Sequence, residues 1–265
     1  MRVALIQLNA GADKEHNLRR ARSMAAQALA NGAQFVLLPE IFHWRGDTRD
    51  PAKIAAASEY ASGETVRTFA ALARQHKAFI LIGSIFERTR TGTKPYNTSI
   101  LINDRGSVAA KYRKIHLFDA RIGDKIIRES DCFLAGRGGK SARVGDLTVG
   151  LSVCYDVRFA DMYRRYARAG ADVLTVPSCF TQKTGQAHWE ALLRARAIEN
   201  LCYVLAPNQV GPDAREIEAH GNSMIVSPWG EILARGSRDK EEVIYSEISK
   251  AEIVKARAIL PGIIK

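Results

Sequence analysis

Short runs of Val, Ile and Leu recur through the first and middle thirds of this chain and alternate with stretches of helical apolar spacing, the pattern that βα units leave in a sequence. Residues 3–8 form the first run. Residues 13–31 follow as a helix, with Asp13 placed as N-cap and Gly32 placed to end it in a left-handed conformation. Residues 35–38 are then continuously apolar, as a buried strand is.

Residues 63–76 read as a helix and residues 79–85, 98–103 and 108–114 as strands. The last two form a hairpin through Asn103-Asp104-Arg105-Gly106, which carries the polar residues and glycine of a tight reversal. Further strands are expected at 147–153, 173–176, 202–206, 223–226, 231–234 and 243–248, and helices at 159–169, closed by Gly170, and 186–200. Ser227-Pro228-Trp229-Gly230 makes another turn. Each sheet must cover its apolar face with helices or with a second sheet, so this element list predicts a layered α/β sandwich. No Pro/Ser-rich or charged linker interrupts residues 1–265, which predicts a single domain. A chain of 265 residues buries roughly three quarters of its unfolded surface.

Lysine and arginine number 39 against 28 acidic residues, a formal charge of +11 that raises the question of a polyanionic partner. The distribution answers it. Arg19, Arg20, Arg22 and Arg164, Arg165, Arg168 lie on helical patterns, without an aromatic-interleaved basic tract, so a solvated basic surface is expected and no nucleic-acid partner. Cys154, Cys179 and Cys202 lie in apolar runs without disulfide or metal spacing, which predicts reduced thiols and no bound metal. The first strand begins at the N-terminus and no apolar stretch approaches the roughly 20 residues that span a bilayer, so a soluble, cytoplasmic protein with no membrane partner is expected.

Three segments share one feature: an apolar strand runs into an ionisable residue. They are Leu37-Leu38-Pro39-Glu40, Tyr112-Arg113-Lys114 and Leu151-Ser152-Val153-Cys154. Strand carboxyl ends face the ligand crevice in open α/β sheets, so an acid, an amine and a thiol placed there can converge. A thiol attacks a carbonyl only as thiolate and needs a base or a cation. Glu40 can take that proton, return it to a leaving amine and activate water. Lys114, with the backbone N–H of Tyr155, can hold an oxyanion. Taken singly, Cys154 also reads as an inert core thiol, and Glu40 and Lys114 as ordinary surface charges. His116 and His188 read as structural, hydrogen-bonded histidines.

Leu37-Leu38-Pro39-Glu40, Tyr112-Arg113-Lys114-Ile115-His116-Leu117-Phe118-Asp119 and Cys154-Tyr155-Asp156-Val157-Arg158-Phe159 resemble, in order and separation, the three signature blocks of the nitrilase superfamily of carbon-nitrogen hydrolases. The resemblance continues through Thr184-Gly185-Gln186-Ala187-His188-Trp189-Glu190, the 193–200 helix and residues 221–230, where it is similar to the omega-amidase and deaminated glutathione amidase branch. It implies a four-layer α-β-β-α sandwich, a homodimer or larger assembly, a small-molecule amide substrate, and a Glu40-Lys114-Cys154 catalytic set without metal or organic cofactor. It also implies that Glu129 orients the lysine and the substrate amide. Arg158, Phe180 and Thr184 are implied to contact a dicarboxylate monoamide, Arg158 pairing its carboxylate. Residue by residue, Arg158 can equally pair with Asp156 or Asp161. Arg121-Ile122-Gly123 stands where the family carries an acidic and Pro-Gly loop, and Asn222 where relatives often have His. An N-carbamoyl amine hydrolase, a nitrilase and a catalytically idle binding protein remain as alternatives.

Overall fold

The structure, a computed structural model, describes residues 1–90, 94–122 and 125–262; Gly123 of the Arg121-Ile122-Gly123 stretch lies outside them. Along the chain the elements are β1 (Arg2–Gln7), α1 (Lys14–Ala30), β2 (Phe35–Leu37), α2 (Pro51–Ala57), α3 (Glu64–His76), β3 (Phe79–Glu87), β4 (Tyr96–Ile102), β5 (Val108–Arg113), β6 (Asp119–Ile122) and β7 (Lys125–Arg128). There follow β8 (Lys140–Val144), β9 (Leu147–Leu151), α4 (Ala160–Arg168), β10 (Val173–Thr175), α5 (Gln182–Ile198), β11 (Tyr203–Ala206), β12 (Val210–Pro212), β13 (Glu218–His220), β14 (Met224–Val226), β15 (Ile232–Arg235), β16 (Glu242–Glu247) and α6 (Lys250–Ile259). Short 3-10 turns at Glu129–Asp131 and Cys154–Arg158 carry four of the predicted site residues, Glu129, Cys154, Tyr155 and Arg158.

Two six-stranded sheets form, in the orders β16-β1-β2-β3-β4-β5 and β15-β14-β11-β10-β9-β8. Their centres are parallel, β1-β2-β3 and β9-β10-β11, as the βα units predict, and antiparallel strands flank them. Strand alternation builds the layers. On β1, Val3 and Leu5 join the core shared with the second sheet, whereas Ala4 and Ile6 join the core under α1 and α3; Phe35 and Leu37 against Val36 and Leu38 repeat the division on β2. On the far side, Tyr163, Tyr166 and Ala167 of α4 and Trp189, Leu193 and Ala197 of α5 cover the second sheet. The result is the expected α-β-β-α sandwich.

Local signals held where the chemistry is specific. Asp13 caps α1 by accepting from the His16 amide at 2.9 Å, and the hairpin turn closes with Gly106 N–H donating to the Asn103 carbonyl at 2.9 Å. Three expectations need correction. Helix α5 begins at Gln182 rather than 186, one turn earlier. Sixteen strands and six α-helices stand among the described residues, because the hairpins β6-β7 and β12-β13 are short and polar and β8 is an edge strand with little apolar pattern. Strand β5 is also an edge, with Val108 47% exposed, so Lys114 does not end a fully buried strand as Glu40 and Cys154 do. No helix among the described residues is long and apolar enough to cross a membrane.

Candidate active site

Glu40 leaves β2 through a tight bend. Ile41 takes φ +47°, its N–H donates to Ser84 Oγ at 2.9 Å, and Gln209 Nε2 donates to the Glu40 carbonyl at 2.8 Å. The bend presses on β3 at Gly83, where a Cβ would lie 2.1 Å from the Leu38 carbonyl oxygen and 2.2 Å from that of Pro39. Only glycine permits that approach.

Cys154 opens the 3-10 turn after β9 with φ +48°, a conformation disfavoured for a residue with a Cβ. Two anchors hold it. The Cys154 N–H donates to the Pro177 carbonyl at 2.9 Å, and Asp156, fully buried, binds the turn to the segment that follows β5. One Asp156 oxygen accepts from the Val153 N–H at 2.9 Å and the Tyr112 hydroxyl at 2.7 Å; the other accepts from the His116 N–H at 3.1 Å and lies 2.7 Å from His116 Nδ1. The His116 ring stacks on Phe159 with centroids 3.6 Å apart. This histidine is structural, as expected, and Asp156 has no bond to Arg158.

Lys114 is 2% exposed, and its ammonium stands between two carboxylates. Nζ donates to Glu40 Oε1 at 2.8 Å and to Glu129 Oε1 and Oε2 at 3.0 and 2.8 Å. Burial alone would pull the lysine pKa down, but the Glu129 and Glu40 charges outweigh it and hold the value well above the ordinary one. Glu129 is fixed in turn by the Phe118 N–H at 2.6 Å. The second Glu40 oxygen accepts from the Cys179 N–H at 2.9 Å, and the Cys154 thiol lines the same cavity as this carboxylate. Burial and then the Glu40 charge push that thiol well above the usual cysteine range, against Lys114 and the Cys179 N–H, which favour the thiolate. At rest Cys154 is a neutral thiol.

These four groups line one open cavity of about 1450 Å³ whose walls also include Trp44, Phe133, Thr181 and Arg215. Tyr155 sits in the first turn after Cys154, where N–H groups have no partner within the helix. Arg158, Phe180 and Thr184 do not line the cavity. The Arg158 guanidinium lies 5.3 Å from the Phe180 ring and 5.8 Å from the Tyr155 ring, with Nη2 3.2 Å from His188 Nδ1, and no ion pair joins it to Asp156 or Asp161. Phe180 is buried against Trp189, and Thr184 Oγ1 bonds Thr181 Oγ1 at 2.9 Å. Sequence reasoning missed Asn97 and Cys179, which touch Glu40 directly. A lone asparagine entering an apolar strand, Tyr96-Asn97-Thr98, was the available signal for the first.

Comparison with known proteins bears on what such an arrangement does. Residues 2–258 match the carbon-nitrogen hydrolase family. The chain is similar to a deaminated glutathione amidase of Synechocystis, 37% identical with 98% of this chain and 96% of that protein covered, and to the human omega-amidase NIT2, 36% identical with 98% and 92% covered. Its fold superposes on the Caenorhabditis elegans NitFhit protein with a TM-score of 0.90 at 34% identity; 98% of this chain corresponds to 63% of that longer one.

The packing at Gly83 gives a test of how the acid is positioned. Gly83→Ala should lower stability by about 1–3 kcal/mol through overpacking against the Glu40 bend, whereas Gly138→Ala, where a Cβ meets nothing within 4 Å, should be neutral. Urea midpoints of the two variants decide; equal midpoints would show that β3 does not support the bend.

Proposed function

The chain belongs to the carbon-nitrogen hydrolase family, and on that premise we propose that it is a cysteine amidase releasing ammonia from a small carboxylated ω-amide, a 2-oxo dicarboxylic acid monoamide or deaminated glutathione. The observation that carries this reading is the Lys114 ammonium held between Glu40 and Glu129 in the cavity that the Cys154 thiol also lines. The names of the Synechocystis and human relatives support the substrate class.

In this mechanism the thiol attacks the amide carbon while its proton passes to Glu40. The carbonyl oxygen, now an oxyanion, is held by the Tyr155 N–H and by Lys114. The ammonium has three hydrogens: one engages Glu40, one is shared across the two Glu129 oxygens, and one remains for the substrate. Glu129 keeps the ammonium in place. Collapse breaks the carbon-nitrogen bond as Glu40 gives its proton to the departing nitrogen, leaving a thioester and ammonia. Water then adds to the thioester with Glu40 taking its proton, and collapse returns the sulfur as thiol and the product as acid.

Arg158 is the proposed partner of the substrate carboxylate. Its guanidinium has no acidic partner among the described residues, whereas Arg215 in the cavity wall is paired with Asp213 at 3.0 Å. Phe180 backs Arg158, and Thr184 holds Thr181, which does line the cavity. The protein is further read as a cytoplasmic homodimer. Exposed Trp229 and Leu233 flank Gly230, which lies against exposed Ile198 of α5, and offer an apolar face for the second copy.

Four measurements check these points. Purified protein should release ammonia from such amides, faster than from carbamoyl amines or nitriles; Cys154→Ala should reduce this to background, and a variant working at the wild-type rate would falsify the assignment. Because the Glu40 charge raises the thiol pKa, Glu40→Gln should abolish turnover yet move the midpoint of Cys154 alkylation by iodoacetamide to lower pH; an unmoved or higher midpoint removes Glu40 from contact with the thiol. Arg158→Gln should raise KM for a carboxylated amide about tenfold, the loss of one charged hydrogen bond, with Arg215→Gln within about twofold; the reverse outcome transfers carboxylate binding to the β12-β13 connection. Sedimentation should give twice the 29.2 kDa chain mass, and a monomer at micromolar concentration refutes the dimer.

A further inference from the structure

Asn97 is 1% exposed and enters β4 beside the reacting groups, yet the mechanism above gives it no task. One hydrogen of its side-chain amide goes to Glu40 Oε1 at 2.9 Å and the other to Glu129 Oε1 at 3.0 Å. Its backbone carbonyl accepts from the Lys114 N–H at 2.8 Å. A single residue thus touches the acid, the second glutamate and the lysine at once.

The orientation of the amide is not interchangeable. Turned over, its oxygen would face two carboxylate oxygens, and acceptor would meet acceptor. In the orientation present, the side-chain oxygen is buried and has no hydrogen-bond partner. Leaving a buried acceptor unpaired is ordinarily unfavourable, and here it accompanies both N–H groups being aimed at the two glutamates.

We propose that Asn97 is a positioning residue that reserves Oε1 of Glu40 as a permanent acceptor and so directs the proton of Cys154 to Oε2. The two oxygens of Glu40 are unlike. Oε1 meets the Lys114 ammonium and the Asn97 amide N–H, so a proton on Oε1 would confront two donors. Among the described residues Oε2 accepts from the Cys179 N–H, leaving a lone pair for the thiol proton. The proton therefore leaves sulfur for Oε2 and passes from Oε2 to the departing nitrogen, and one oxygen carries both transfers without rotation of the carboxyl. Asn97 also ties Glu129 to the same geometry, so both carboxylates face the ammonium in fixed register.

The inference rests on the amidase reading, and its test separates the two. Asn97→Leu keeps the shape and removes both donors; Asn97→Ser can retain one. Both are compared with wild type on a succinamic-acid type monoamide, with circular dichroism as the check on folding. In Asn97→Leu, kcat should fall about 10- to 100-fold with KM within about twofold, and the acid limb of the kcat/KM profile should move to higher pH, since a donor that favoured the charged carboxylate is gone. Asn97→Ser should lie between. A fall in kcat with the acid limb unmoved in both variants reduces Asn97 to packing and overturns the proposal. Should Asn97→Leu fail to fold, the limb in Asn97→Ser decides alone. Cys154→Ala, run alongside, loses activity whether or not Asn97 acts as proposed, so activity surviving in Cys154→Ala, or no ammonia release by the wild type, overturns the amidase reading itself.

Discussion

The Lys114 ammonium, almost sealed from water, is the constraint around which the site is organised. An unpaired buried charge is strongly unfavourable, so this lysine is compatible with the fold only because Glu40 and Glu129 meet it. Two carboxylates around one ammonium leave an excess negative charge. Neutral donors share it: the Asn97 side chain bridges both acids, the Cys179 N–H serves Glu40 and the Phe118 N–H serves Glu129. Removing Lys114 would strand both carboxylates, at a cost of about 3–5 kcal/mol in comparable buried pairs.

Such a cluster needs segments distant in sequence to arrive with fixed orientation, and the two stacked sheets supply this. Glu40 follows β2 in one parallel sheet centre and Cys154 follows β9 in the other, while Lys114 ends edge strand β5, which packs over β8. The connections are held by contacts that tolerate little change. Gly83 lies against the carbonyls before Glu40, and Gly136 lies where a Cβ would be 2.1 Å from the Arg113 carbonyl just before Lys114. Asp156 holds the Cys154 turn to Tyr112 and His116, joining the thiol loop to the lysine strand. Positive φ at Ile41 and Cys154 is the backbone strain those contacts sustain, of order 1–3 kcal/mol each.

Much of this was legible from residue order alone, for a physical reason. Buried parallel strands need continuous apolar runs, and a polar group at the end of such a run is conspicuous, which is how Glu40 and Cys154 stand out. Lys114 was found by its motif more than by its strand, since β5 is half exposed. What escaped was whatever depends on the meeting of distant segments. Asn97 looks like a strand residue until β4 is laid between β3 and β5, and Cys179 acts through its backbone N–H, which side-chain identity does not encode. Arg158 shows the converse: its place in a motif suggested a carboxylate or an aspartate partner, while the folded chain sets it between aromatic rings.

The neutral resting thiol follows from the same charge arrangement. Lys114 cannot stabilise a thiolate fully because two carboxylates already share it, and Glu40 stands against the sulfur. On the amidase reading this favours catalysis. Before attack, Lys114 at +1, Glu40 and Glu129 at −1 each and a neutral thiol sum to −1. After attack, protonated Glu40, the oxyanion, Lys114 and Glu129 again sum to −1. The net charge of the buried cluster never changes; one negative charge moves from Glu40 to the substrate oxygen, around an ammonium already in place. A site that conserves its charge in this way has no need to reorganise when the transition state forms, which is the condition under which fixed donors lower a barrier most.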